Sequence, residues 1–429
     1  MRTAVAVAGM VLAIAGFLLF DYLAPGALVA NDPEARARDR ALATTARIRA
    51  AEARSDKVRG VYMTSAVAND TWNAAAKLRS DILKLIDTTE LDAVVIDVKE
   101  TDGGTVITER LTALIDKLHE RNTWVIARQA VFKDSGQEQA HPGWYLTRKN
   151  ARRPDQQTGG QGSIWRDNRG GSWLDPAAPE VWAYQLAVAK TASDAGFDEI
   201  QFDYIRFPSD GDVQSIIYPV YNAKRPKYEV LGEFFAYLSG ELERHRPELI
   251  LSADLFGYVA LQEQDLGIGQ RLEDIGSKFD YISLMVYPSH YYAGFQVAAD
   301  PARGLPAIHY PYHSANSADV AANQPYDVVY RSLLMAQDIL AGRATTAPDA
   351  TTAAATSTPP TAHKTAKLRP WLQDFDLAVD SARGIKYDAA KVRAQIDAAE
   401  AAGASGWLLW NPSNVYTKEA LKVEVETKR

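Results

Sequence analysis

Phe202-Asp203-Tyr204-Ile205-Arg206-Phe207-Pro208 decides the reading of this chain. A short apolar run, Glu199 to Phe202, leads into an acid, and a proline closes the segment. A buried parallel strand looks like this when it delivers a carboxylate to its C-terminal end. In an α/β barrel that end carries the chemistry. Asp203 is therefore the first candidate for a catalytic group.

Outward from Asp203 the same grammar repeats. Eight strand candidates stand out: Val58–Ser65, Ala93–Lys99, Trp124–Phe132, Glu199–Phe207, Leu249–Phe256, Tyr281–Tyr287, Leu368–Phe375 and Gly406–Trp410. Helical patterns separate them, clearest at Trp72–Ile86, Leu111–Arg121, Pro179–Ala195, Val230–Arg244, Tyr326–Leu340 and Ala389–Ala402. The helix before Tyr281 is weak and short. Pro179 suits a first helical position, and Gly196 and Gly403 suit helix ends. Strands alternating with helices predict a parallel sheet, and eight units predict a (β/α)8 TIM barrel with long βα loops. An open doubly wound sheet is the alternative. Thr64-Ser65-Ala66-Val67, after the first strand, lacks the glycines of a phosphate-binding turn, which argues against it.

The ends of the chain are of another kind. Arg2 is followed by 18 uncharged residues, Thr3 to Phe20. Residues 1–30 read as a signal peptide or membrane anchor, which predicts an extracytoplasmic, tethered or secreted protein. Residues 31–56 read as a polar helical stalk, 57–416 as the barrel and 417–429 as a tail. Residues 342–366, mostly Ala, Thr and Pro, read as a disordered insert on the N-terminal face. The net charge is −7, without a long basic run, which argues against nucleic acid as a partner. The absence of cysteine excludes disulfides, thiolate metal sites and a Cys nucleophile.

Acids recur where strands end: Asp97 and Glu100, Asp203, Asp254, then Asp374 and Asp376. Two opposed carboxylates can cleave a glycosidic bond, one giving a proton and the other acting as nucleophile or base. The long loops after the third and sixth strands carry aromatic residues, Trp173 and His290 to Tyr292 among them, which suit apolar sugar faces. Each residue also has a structural reading. Asp203 pairs with Arg206 or caps the next segment. Asp97 and Lys99, two apart and hence on one strand face, form an ion pair at the mouth. His290 is an ordinary hydrogen-bonded histidine. No zinc signature, phosphate loop, nucleophile elbow or calcium loop occurs, and no metal or cofactor is expected.

Five segments together resemble the bacterial family described as "Putative glycosyl hydrolase domain". They are Val94–Lys99, Asp198–Pro208, Met285–Tyr291, Arg369–Phe375 and Gly406–Asn411, in that order. The resemblance spans roughly Lys57 to Tyr416. It implies a TIM barrel akin to α-amylase-type hydrolases, acting on a polysaccharide, of the envelope or secreted. By that analogy Asp203 is the nucleophile and Asp254 the proton donor, although amylase-type enzymes place a longer Glu at the second position. Asp97, Lys99, Trp173, Arg206, Tyr287, His290, Gln373, Asp374, Trp410 and Asn411 would then line the sugar site. A non-catalytic glycan-binding scaffold is the rival. An aldolase- or lyase-like barrel would need a catalytic Lys, for which Lys99 is the one strand-end candidate.

Overall fold

The computed structural model describes residues 33–149, 163–262, 264–314, 316–343 and 365–423. The N-terminal segment 1–30 lies outside them, as does most of the Ala/Thr/Pro-rich insert. Eight parallel strands close into a barrel in chain order: β1 Val58–Met63, β2 Ala93–Lys99, β3 Trp124–Ala130, β4 Glu199–Asp203, β5 Ile250–Phe256, β6 Tyr281–Met285, β7 Lys367–Gln373 and β8 Gly406–Trp410. All eight expected strands are present, most of them shorter at their C-terminal ends than the sequence suggests.

Local chemistry explains the irregularities. Pro370 has no N–H for the ladder, so β7 comes in two pieces, Lys367–Leu368 and Trp371–Gln373. Gly406 opens β8 at φ 88°, where it pairs with Val58 to close the barrel. A Cβ there would lie 1.9 Å from the Val58 carbonyl oxygen, so no other residue fits.

Among the described residues each of the first seven strands leads to a helix, α1 Asn73–Thr88, α2 Glu109–His119, α3 Pro179–Asp194, α4 Lys227–His245, α5 Leu272–Gly276, α6 Pro325–Leu340 and α7 Ala389–Ala401. Two further short helices, Ser65–Asn69 and Ala378–Ser381, lie in the connections before α1 and α7. Pro179 opens α3, and Gly196 and Gly403 take positive φ just past α3 and α7, as the sequence predicts. Helix α5 has five residues, matching its weak signal. After β8 the described residues hold a single 3-10 turn, Lys418–Ala420. Ala420 and Leu421 are buried, and the Lys422 N–H donates to Glu90, so this part of the tail packs on the barrel.

The expected stalk is a mostly exposed helix, Pro33–Ser55, whose residues up to Glu52 form a unit of their own. No helix among the described residues is long and apolar enough to cross a membrane.

Strand β4 shows how the barrel is filled. Ile200 and Phe202 face outward into the apolar shell under the helices. Glu199, Gln201 and Asp203 face inward, one at each of three levels. At the bottom, Glu199 accepts both oxygens' bonds from Arg369 at 2.9 Å and one from the Trp124 indole. Arg369 also donates to the Ser55 carbonyl at 2.8 Å and lies 3.7 Å from the Tyr281 ring centroid. At mid-height Gln201 donates to Ser283. At the top, Asp203 meets Arg128.

Candidate active site

Arg128 projects inward from β3 and organises the top level. Its Nη1 donates to Asp97 of β2 at 2.6 Å, and its Nη2 to Asp203 of β4 at 2.5 Å. Its Nε lies 3.7 Å from Asp254 of β5. Phe202 pairs with Ala253, which sets Asp203 level with Asp254 on the neighbouring strand. The two carboxylates therefore stand side by side, not opposed across a cleft as the sequence suggested. Both are nearly buried, Asp203 at 7% exposure and Asp254 at 2%.

One cation cannot neutralise three buried carboxylates, and the surplus shows in the acids. Burial pushes the Asp254 carboxyl well above the usual range and the Asp203 charge adds to this, against Arg128 and the Trp371 indole, which donates to Asp254 at 2.8 Å. Burial likewise raises Asp97 to about 6, although Arg128 and the Tyr62 hydroxyl favour its charged form. Asp203 accepts from Arg128 on one oxygen and from the Tyr204 N–H at 2.6 Å on the other. That second bond requires a sharp turn, with Tyr204 at φ 53°. A left-handed non-glycine residue costs about 1 kcal/mol and is kept where geometry demands it. Tyr62 and Trp410 stack at 4.1 Å beside the guanidinium, with Trp410 5.2 Å from it.

Residues 60–416 match the family described as "Putative glycosyl hydrolase domain". The chain belongs to that family. Comparison with curated proteins finds no match. Among solved structures, the PgaB (BpsB) glycoside hydrolase domain from Bordetella bronchiseptica is similar in fold. It has a TM-score of 0.51 at 13% identity, over 84% of this chain and 94% of that one. A hypothetical protein from Ruminiclostridium thermocellum is 31% identical over 45% of this chain and 96% of its own, with a TM-score of 0.36. The spore cortex-lytic enzyme SleL of Bacillus megaterium gives 0.43 at 11% identity, over 85% of this chain and 73% of that one.

Within this family member the expected site residues divide. Asp97, Asp203, Asp254 and Trp410 converge on Arg128. Tyr287 lies close enough that Asp254 and Asp203 add to the effect of burial in raising its hydroxyl. His290 packs on Tyr287 and Phe375, and burial with the Arg169 charge lowers its imidazole to about 4. Arg206 does not pair with Asp203.

Five expected site residues need correction. Lys99 is fully buried and faces the opposite way, because a register shift between Asp97 and Lys99 makes Val98 an extra residue. Lys99 pairs with Asp134 at 2.8 Å, over the Tyr184 ring of α3, and neither ion-pairs with Asp97 nor reaches the mouth. Trp173 is buried and donates to Asp167, so it builds the third loop and offers no sugar platform. Asp374 accepts from the Thr417 N–H and hydroxyl, and Asn411 bonds the carbonyls of Asp374 and Val415. Gln373 is fully buried and holds the sixth loop through Ser289. These last three fix loops and do not line a cleft.

Arg128, Tyr62 and Trp371 are the site residues the sequence reading missed. Arg128 had a signal: a cation inside the apolar run Val125-Ile126-Ala127-Arg128 must find acids when that run is buried. Among the described residues no group of acids and histidines is arranged to hold a metal ion.

Proposed function

We propose that this chain is a glycoside hydrolase acting on a polysaccharide of the bacterial envelope or an exopolysaccharide. The observation that carries this reading is the pair Asp203 and Asp254, level on adjacent strands at the catalytic end of the barrel, with Asp254 in an environment that favours its acid form. Environments that separate two carboxyls in this way assign the acid and the nucleophile.

Asp254 gives its proton to the glycosidic oxygen as the bond to the anomeric carbon breaks. Asp203, held at both oxygens by Arg128 and the Tyr204 N–H, attacks that carbon. Water then displaces Asp203 and passes its proton to Asp254, restoring both groups. Arg128 holds the Asp203 carboxylate in place and offsets the charge cluster. A nucleophilic Asp203 followed by water makes two displacements at the anomeric carbon, which retains its configuration. Proton NMR of the first-formed product should therefore show the anomer of the substrate.

The uncharged segment Thr3 to Phe20 supports an extracytoplasmic protein held by, or exported through, its N-terminus. The test of activity is release of reducing ends from a panel of envelope polysaccharides and exopolysaccharides by the full chain and by Asp203→Asn. Release that vanishes in the variant is expected. Binding without release by either protein would sink the hydrolase in favour of a glycan-binding scaffold.

A further inference from the structure

Arg206 sits three residues beyond Asp203, on the loop that leaves β4. It is nine-tenths buried, with 7% exposure. Its guanidinium carbon lies 4.7 Å from the Trp173 ring centroid and 4.6 Å from that of Phe256, two residues past Asp254. Its one hydrogen bond to a described residue runs from Nη1 to the Phe207 carbonyl at 3.0 Å. The other buried arginines are better satisfied. Arg128 and Arg369 have carboxylates, and Arg331 spends its two ends on the Pro306 and Ala298 carbonyls. Asp203, Asp210 and Asp167 act on Arg206 through space, but no described carboxylate comes within ion-pair distance.

An arginine buried with so few partners is costly to keep. The Trp173 and Phe256 rings lie over the guanidinium, and its Nε and Nη2 have no hydrogen-bond partner among the described residues; such an edge is what a carboxylate grips with two parallel bonds. A second cation borders the same place. Arg169 is exposed, and its charge acts on Tyr204, His290 and Tyr292.

We propose that Arg206 is the binding residue for a sugar-borne carboxylate, so that the substrate is an acidic glycan. This rests on the reading of the Asp203 mouth as the glycan site, but not on hydrolysis there.

The experiment measures binding of the full chain carrying Asp203→Asn to polygalacturonate, alginate, hyaluronan and xanthan. Each polymer is paired with its carboxyl-reduced, neutral form. At least one acidic polymer should bind roughly 10- to 100-fold more tightly than its reduced form. Adding Arg206→Met should erase that difference, and Arg206→Lys should restore part of it. Arg169→Ala, at an exposed position, should narrow it without disturbing the fold. Binding to the acidic polymer should also weaken with salt, despite the net charge of −7, whereas binding to the reduced form should not.

Equal binding of every acidic and reduced pair, no binding at all, or a preference that survives Arg206→Met would overturn the proposal. If carboxylate-dependent binding holds but the unmodified chain releases no reducing ends, the hydrolase reading falls and this one stands.

Discussion

Glu199 and Asp203 lie four residues apart on one strand, face the same interior and each meet a buried arginine, yet the two levels are built for different ends. At the bottom one acid meets one guanidinium, and the spare donors go to the Ser55 carbonyl while Trp124 completes the acid. Nothing is left over. At the top one guanidinium serves three acids, and burial, joined at Asp254 by the Asp203 charge, drives Asp254 and Asp97 toward their neutral forms. A balanced pair holds the barrel; an unbalanced cluster holds a proton ready to move.

The sharpest way to break this comparison is to treat both acids alike. Asp203→Asn should lower kcat/KM by about 10³-fold or more. Chemical denaturation should show its stability unchanged or raised, because it removes surplus negative charge. Glu199→Gln should do the reverse. It strands the buried Arg369 charge and should cost about 3–5 kcal/mol, read from the denaturant midpoint, with kcat of the folded fraction intact. A Glu199→Gln variant that unfolds no more easily than Asp203→Asn would end the distinction.

Titration separates the levels next. If Asp254 is the proton donor proposed above, kcat/KM should fall toward alkaline pH as that proton is lost, and Asp254→Asn should be inactive throughout. Asp97 has a different signature. Its carboxyl is raised to about 6 in the folded chain, so the native state binds more protons than the unfolded one between about pH 4 and 6. Stability should therefore fall as pH rises through that window and level off above it. Thermal melting against pH should show this slope, and Asp97→Asn should remove it. The smallest effect belongs to Asp374→Asn, which weakens the Thr417 contacts. It should cost about 1–2 kcal/mol and leave turnover unchanged; a loss of turnover would return Asp374 to the site.

The barrel was legible because its strands are apolar runs ended by acids, prolines and glycines, with helices of regular period between them. Asp203 and Asp254 were legible by position alone. Side-chain direction was not. Counting by twos placed Asp97 and Lys99 on one face, and no residue type marks the bulge that parts them. Trp173 resembled a platform because sequence cannot tell an aromatic that covers a loop from one that meets solvent. Gln373, Asp374 and Asn411 lie at or just past the ends of two strands and so resembled site residues, but their side chains are consumed by backbone and hydroxyl groups of loops. Arg128 was passed over among its apolar neighbours, although it touches all three acids.

The bulge at Val98 reaches beyond local geometry. It works as a switch point that lets one strand supply two compartments with opposite charges, an acid to the barrel interior and, two residues later, a lysine to the layer beneath α3. Without the bulge, simple alternation over Asp97-Val98-Lys99 would swing an ammonium into the carboxylate cluster, silencing its spare proton while orphaning Asp134 outside. A single backbone residue thus keeps the ledger of charge inside this barrel from balancing.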